Sequence, residues 1–234
     1  MDENNKSTLT VPMAIVVAGL FIAGAIVVSQ QTSGSPQADE GSQLIPKIEK
    51  EITLRSVVDG DHIRGDLSAP IKIVEYADTE CPFCKTFHNT LLKVMAKYEK
   101  SGNVAWVYRH FPIDSLHSRA TKEAEATECA YEQGGNNAFW KYLDRIMEVT
   151  PSNNRLDPAT LGEIALFVKL DAEKLQSCLD SGKYSKKVEA DVDDATDAGA
   201  RGTPYSVIID SSGRKIPLDG ALPIEEIEKI ISSL

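Results

Sequence analysis

The chain has 234 residues, a net charge of −10 and 42% hydrophobic residues. This length is ample for one domain with an insertion and a well-buried core. The acidic balance argues against a nucleic-acid partner, which would need a basic stripe, and against binding to an anionic lipid surface through charge alone. Four cysteines are too few to form the disulfide scaffold of a chain this long, so they are expected to have individual roles.

The N-terminal segment has the character of a membrane anchor. No charged side chain lies between Lys6 and Asp39, and residues 11–28 are almost wholly apolar. A helix over 11–28 would span about 27 Å, close to the thickness of the hydrocarbon core of a bilayer. A cleaved signal peptide is the alternative, but this run is longer than a usual signal-peptide core and little positive charge precedes it. A short tail (1–10) and an uncleaved transmembrane helix (11–28) are therefore predicted.

A flexible linker is predicted to follow the anchor. Residues 29–51 are rich in Ser, Gln, Gly, Pro and acidic side chains, a composition typical of a solvated tether. The remaining residues, 52–234, have the apolar patterns of a folded domain.

Two cysteines, Cys81 and Cys84, lie where a predicted strand (71–77) runs into a predicted helix (82–100). Cys81 would cap this helix, and Pro82 suits its first position because the missing N–H costs nothing there. Unpaired N–H groups and the helix dipole favour a thiolate at a helix N-terminus. Cys81 is therefore predicted to be a nucleophile in disulfide exchange, and Cys84, one turn further, to resolve a mixed disulfide.

A carboxylate, Glu75, lies on an apolar face of the same strand. Alternation along a strand places it on one side with Ile71, Ile73 and Ala77. A buried acid there would have a raised pKa and could shuttle the proton of Cys84. The alternative is an ordinary surface ion pair at a solvated strand edge.

The rest of the domain predicts an α/β fold with an all-helical insertion. A second strand at 104–108 follows the helix, and strand–helix–strand units favour a parallel sheet. Helical patterns then occupy about 115–199. A strand at 205–210, a hairpin turn, a short strand and a C-terminal amphipathic helix from 224 complete the chain.

Several motifs together give the chain a family resemblance. They are the run Ile73-Val74-Glu75-Tyr76 into Cys81-Pro82-Phe83-Cys84, the run Tyr108-Arg109-His110-Phe111-Pro112, the helical insertion, and Gly202-Thr203-Pro204 before a strand. In this combination the chain resembles the DsbA-like branch of the thioredoxin superfamily over about residues 60–234. The resemblance implies a thioredoxin-like fold and a thiol–disulfide oxidoreductase.

The resemblance also implies roles for single residues. Cys81 would be the exposed attacking cysteine, Cys84 the buried resolving one, and Glu75 the buried acid beneath the site. Thr203 and Pro204 would contact substrate, with Thr203 offering its backbone and a cis Pro204 facing the disulfide. An ordinary trans proline that starts a strand is the alternative for Pro204.

Phe83 departs from the pattern of the strongest oxidants in this family. Those proteins carry histidine after the proline between the two cysteines, where it helps to hold the thiolate. Pro82 and Phe83 are still expected to contact substrate, but Phe83 cannot donate charge. A less oxidising disulfide is therefore expected, since redox poise follows the stability of the reduced form.

The other two cysteines, Cys129 and Cys178, lie on predicted insertion helices. We expect a structural disulfide between them, the alternative being two buried free thiols. A zinc site is a rival interpretation of Cys81 and Cys84, with His88 as a third ligand, but the sequence offers no motif to complete it. No metal and no cofactor are predicted.

The predicted protein is a membrane-anchored thiol–disulfide oxidoreductase that forms disulfides in exported proteins. Its N-terminus would be cytoplasmic and its catalytic domain outside the cytosol, on a single-pass anchor in the cell membrane. Expected partners are unfolded or reduced exported proteins and a DsbB-like or quinone-linked membrane protein that reoxidises it. A reductase or isomerase with the same site is the alternative, as is a non-enzymatic module that holds peptides or carries a metal.

Overall fold

The computed structural model of the chain describes residues 51–234. The predicted tail, the anchor at 11–28 and nearly all of the linker lie outside the described residues. The five strands of the described part are β1 (His62–Arg64), β2 (Ile71–Ala77), β3 (Val104–His110), β4 (Tyr205–Ile209) and β5 (Lys215–Asp219). Its six helices are α1 (Pro82–Tyr98), α2 (Ala120–Val149), α3 (Thr160–Phe167), α4 (Ala172–Ser181), α5 (Ser185–Asp197) and α6 (Ile224–Ser232). Within residues 51–234, none of these helices has the length and apolar character needed to cross a bilayer.

The strands form one sheet in the order β1-β3-β2-β4-β5. β2 and β3 are parallel and joined by α1, as the strand–helix–strand pattern predicts, while the other pairs are antiparallel. In this register Glu75 on β2 lies opposite Tyr108 on β3 and Ser206 on β4. The central strand therefore places Glu75 in the middle of the sheet.

Both faces of β2 are covered, so its side chains divide between two cores. Ile73 and Ala77 belong to a core with residues of α1, α6 and the second half of α2. Val74 and Tyr76 point the other way, into a core with residues of α5. Glu75 shares the face of Ile73 and Ala77, and thus lies beneath α1.

The helical insertion has a core of its own. A kink divides α2 into two halves, because Gly134 and Gly135 have non-helical backbone angles and Gly135 has φ 65°. The first half of α2 packs with α3 and α4. Cys129 on α2 and Cys178 on α4 form a disulfide, as expected, so the alternative of two buried free thiols is wrong.

A buried arginine joins α5 and the segment before β1 to the sheet. Arg109 on β3 is fully buried, and its guanidinium bonds Asp61 at 3.0 Å and Asp194 at 2.7 Å. The Tyr76 hydroxyl donates to the same Asp194 carboxylate at 2.6 Å. A buried cation of this kind is tolerated only when its donors are paired, and these are.

Replacing both insertion cysteines with alanine (Cys129→Ala, Cys178→Ala) should lower the free energy of unfolding by about 2–4 kcal/mol. The cross-link closes a loop between residues 49 positions apart, and removing it restores chain entropy to the unfolded state. Urea unfolding of the oxidised proteins measures the change. An unfolding midpoint equal to that of the unmodified chain would contradict it.

Candidate active site

The two active-site cysteines lie at the start of α1, as the sequence predicts. Cys81 is the N-cap, with extended backbone angles, and Pro82 occupies the first turn. The turn between β2 and α1 positions Cys81, because the Cys81 N–H donates a hydrogen bond to the Asp78 carbonyl at 3.1 Å. Cys84 follows one helical turn later on the buried side of α1. Both thiols are free, so the structure shows the reduced form of the pair.

The expectation of an exposed Cys81 is wrong for this conformation. Cys81 exposes 5% of its surface, and Cys84 exposes none. The loop before β4 covers the pair: the Cys81 thiol, in its protonated form, donates to the Thr203 carbonyl at 3.4 Å, and the Thr203–Pro204 peptide bond is cis. Phe83 is the exposed member of the motif, with 65% of its surface accessible.

Cys81 is acidic for a cysteine. A hydrogen bond from the Cys84 thiol lowers its pKa to about 6, against the opposing effect of burial and with help from the N–H groups of Cys84 and Phe83. The backbone donors are those left unpaired at a helix N-terminus. The thiolate is the nucleophile in disulfide exchange, so at neutral pH this sulfur is ready to attack.

Cys84 and Glu75 are shifted in the opposite direction. Burial, the hydrogen bond to Cys81 and nearby negative charge raise the pKa of Cys84 well above its usual range. Burial raises the pKa of Glu75 to about 8, although a hydrogen bond from Trp106 opposes the shift. The solvated strand edge proposed as the alternative for Glu75 is wrong, since its carboxyl is fully buried. Glu75 can therefore both hold and accept a proton near neutral pH.

A second group of buried acids surrounds the turn before Cys81. Asp78 accepts hydrogen bonds from the Ile113 N–H at 2.8 Å and from His117 Nδ1 at 2.9 Å. Glu80 is fully buried and accepts from the Asn154 N–H at 2.7 Å. Burial and a hydrogen bond with Glu80 raise the pKa of Glu123 to about 9. These contacts anchor the turn to the insertion and fix the start of α1.

Sequence reasoning missed three polar neighbours of Glu75. The Trp106 indole N–H donates to Glu75 Oε2 at 2.9 Å, and the Tyr108 and Ser206 hydroxyls occupy the facing register positions. Strand parity could have found Trp106 and Tyr108, because alternate residues of a strand share one face. The pairing of β2 with β4, which brings in Ser206, depends on the whole fold.

The zinc alternative for Cys81 and Cys84 is not supported by the geometry. His88 Nε2 lies 2.9 Å from Asp144 Oδ1, and His88 belongs to no metal-type group within residues 51–234. In that part of the chain, the side chains that lie close enough together to bind a metal ion are His62, His110 and Glu128. Glu128 Oε1 lies 2.7 Å from His62 Nε2 and 3.0 Å from His110 Nε2, so the three form a buried hydrogen-bonded cluster.

The class of protein that this fold and site define is the DsbA-like thiol–disulfide oxidoreductases. A family model described as Thioredoxin matches residues 57–233. The chain belongs to the thioredoxin family.

Solved structures with the same fold carry related names. DsbA2 of Pseudomonas aeruginosa is 29% identical with a TM-score of 0.63, covering 76% of this chain and 96% of that one. BdbD of Bacillus subtilis, in its oxidised form, is 22% identical with a TM-score of 0.67, covering 78% of this chain and 96% of that one, and at this identity it shows the fold alone.

Curated relatives include long proteins named Na⁺/H⁺ antiporters. NhaA 3 of Salinispora tropica is 35% identical over 146 residues, which is 62% of this chain and 21% of the relative. NhaA 1 of Salinispora arenicola is 31% identical over 175 residues, 75% of this chain and 25% of the relative. The chain thus spans about a quarter or less of these relatives.

Titrating the reduced protein should give a Cys81 thiolate with a midpoint near pH 6, measured by the ultraviolet absorbance of the thiolate. Cys84→Ala should raise this midpoint by about 1 unit or more, because it removes the thiol that donates to the thiolate. Cys84→Ser is the matched control, since its hydroxyl can still donate. Equal midpoints in the two variants would contradict the role given to the Cys84 thiol.

Glu75→Gln should stabilise the protein at pH 8 by about 2–5 kcal/mol and much less at pH 4.5. The pKa of Glu75 is raised on folding, so between about pH 4.5 and 8 the folded state binds more protons than the unfolded state. Stability from this group is then lost as pH rises, and the glutamine removes that loss. Urea unfolding across this pH range, with Ser206→Ala as the control, measures it; parallel curves for Glu75→Gln and the unmodified chain would refute it.

Proposed function

We propose that the protein forms disulfides in exported proteins through Cys81 and Cys84. A substrate thiolate attacks the Cys81 sulfur of the oxidised pair, forming a substrate–Cys81 disulfide and breaking the Cys81–Cys84 bond. Cys84 leaves with the bonding electrons and takes a proton, for which protonated Glu75 is the donor. A second substrate thiolate then attacks the first substrate sulfur and expels Cys81 as a thiolate. The substrate loses two electrons, and the active-site pair gains them.

The convergence of hydrogen-bond donors on Cys81, at the N-terminus of α1, is the observation that carries this proposal. The Cys84 thiol and the helix N–H groups stabilise the thiolate that exists in the reduced form of the pair. Whatever stabilises the reduced form makes the disulfide more oxidising and Cys81 a better leaving group. Both effects favour donation of the disulfide to a substrate.

The site also has the surface that an extended substrate requires. Phe83 is exposed beside the buried Cys81, and Leu116 in the loop after β3 is exposed to the same degree, 65%. Thr203 has a backbone that can pair with an extended chain once substrate replaces Cys81 as the partner of its carbonyl. Unfolded polypeptides offer apolar side chains and unpaired backbone groups together, so this surface suits them.

We place the catalytic domain outside the cytosol, on the anchor predicted at 11–28. The Cys129–Cys178 bond supports this location, because structural disulfides persist in oxidising compartments and are rare in the cytosol. A membrane partner that is DsbB-like or quinone-linked would accept the two electrons from reduced Cys81 and Cys84. The antiporter names of the long relatives fit a membrane context for domains of this kind.

A reductase or isomerase remains a second candidate because of Phe83. Its ring is exposed and cannot donate a hydrogen bond to the Cys81 thiolate, unlike the histidine of the strongest oxidants. The reduction potential of Cys81–Cys84 separates the two functions. A value of about −120 mV supports the oxidase, and one of about −270 mV supports the reductase.

Cys84→Ser should trap substrate proteins as mixed disulfides on Cys81. The variant keeps the attacking sulfur but lacks the thiol that resolves the intermediate, so the trapped fraction should rise at least about tenfold over the unmodified chain. Non-reducing electrophoresis with a reduced secreted test protein, after acid quenching, measures it. Cys81→Ser is the matched control and should trap nothing. A failure of Cys84→Ser to trap any thiol protein would leave a non-enzymatic module as the better account.

A further inference from the structure

One carboxyl oxygen of Glu75 accepts a hydrogen bond, whereas the other has no hydrogen-bond partner among the described residues. Glu75 Oε2 accepts the Trp106 indole N–H at 2.9 Å, with both residues fully buried. Glu75 Oε1 is also buried, and within residues 51–234 it has no hydrogen-bond partner. A carboxyl held by one oxygen keeps a fixed orientation and offers the second oxygen to a neighbour.

The fold places Trp106 for this contact and holds it there. Trp106 lies two residues before Tyr108, the register partner of Glu75, so its side chain shares the face of the sheet beneath α1. Its ring packs against Trp140 at 4.7 Å and His88 at 5.0 Å between centroids, and Arg64 lies 5.3 Å from its centre. The indole therefore cannot turn away from Glu75 without breaking a packed aromatic cluster.

We infer that Trp106 is the positioning residue of the proton relay: its N–H fixes Oε2 of Glu75 and so leaves Oε1 as the oxygen that exchanges a proton with the Cys84 thiol. This inference deepens the proposed function and depends on it. In the step that resolves a mixed disulfide, Cys84 gives its proton to Glu75 and its sulfur bonds Cys81. The bond between Cys81 and the bound thiol then breaks, and that thiol leaves as a thiolate with the electron pair.

The other titratable groups that face Glu75 are Cys84 on α1 and Tyr108 on β3. Burial raises the pKa of each well above its usual range, so both are neutral near pH 7. Arg109, although on β3, points into the opposite face of the sheet, where it bonds Asp61 and Asp194. Among residues 51–234, the Trp106 indole is the one group that donates a hydrogen bond to the Glu75 carboxyl.

The chain provides a matched control for the indole N–H. It has two tryptophans, Trp106 and Trp140, which lie in the same aromatic cluster and are both buried. The Trp140 N–H has no hydrogen-bond partner among residues 51–234. Trp106→Phe and Trp140→Phe therefore remove the same atoms from the same core, but only the first removes a bond to Glu75.

The test starts from the full-length protein with glutathione bound to Cys81 as a mixed disulfide. The rate at which glutathione is released is measured as a function of pH. For the unmodified chain the rate should rise with pH around a midpoint near 8, the pKa of Glu75. Trp106→Phe removes a donor to the charged carboxylate, so the midpoint should move up by about 1 unit and the rate at pH 7 should fall about tenfold. Trp140→Phe should keep the original midpoint.

Glu75→Gln separates failure of this inference from failure of the proposed relay. Loss of the midpoint near 8 in Glu75→Gln supports the relay; an unchanged profile removes Glu75 from the mechanism, and the inference with it. If Glu75→Gln loses the midpoint while the profiles of Trp106→Phe and Trp140→Phe coincide, the relay stands and Trp106 is merely structural.

A second measurement needs no tryptophan variant, in case Trp106→Phe does not fold. The two indole N–H groups give two cross-peaks in a nitrogen–proton NMR spectrum of the full-length reduced protein. As pH is raised, the chemical shift of the Trp106 peak should change with a midpoint at the pKa of Glu75, and this transition should be absent in Glu75→Gln. The Trp140 peak should move much less. A Trp106 peak that shows no transition with Glu75 would overturn the inference.

Discussion

Desolvation of three acidic groups in one buried space governs this active site. Cys81, Cys84 and Glu75 are all buried, and each can carry a negative charge. Burial disfavours each of these charges. A second negative charge is disfavoured further, because it is repelled by the first at low effective dielectric. The lowest-energy reduced state therefore has one charge, which lies on Cys81 because the hydrogen-bond donors converge there. Cys84 and Glu75 remain protonated as a consequence.

In the proposed mechanism, the same constraint gives each group its role. Opening the Cys81–Cys84 bond creates negative charge on Cys84, the more deeply buried sulfur, and only a proton already at hand can cancel it quickly. Glu75 can supply that proton because burial keeps its carboxyl protonated near neutral pH. The helix N-terminus, which the sequence made evident, is one contributor to the acidity of Cys81. The larger contributor is the thiol of Cys84, so each cysteine sets the acidity of the other.

Local sequence signals were sufficient for the elements and for the cysteine pair. The β-branched run of β2, Pro82 at the first helical turn and the alternation around Glu75 each act within a few residues, and the structure has them as predicted. Two features of the site could not be predicted from local sequence, because they depend on contacts between distant parts of the chain. The burial of Cys81 comes from the loop at Thr203, which lies 122 positions away, and Ser206 lies opposite Glu75 only because β4 pairs with β2. Residues 1–50 are not described by the structure, so the anchor stays a prediction.

Under the proposed function, the direction of electron flow depends on which contacts survive oxidation. The hydrogen bond from the Cys84 thiol to Cys81 exists only while both sulfurs are reduced, so it stabilises the reduced state specifically. The N–H groups at the start of α1 also bind a charge that the disulfide does not carry. Phe83 adds no donor, and its exposed ring is better suited to contact substrate than to stabilise the thiolate. The contacts to the Cys81 thiolate thus favour a disulfide more oxidising than an ordinary thiol pair, whereas the lack of a donor at Phe83 favours one less oxidising than in relatives with histidine there.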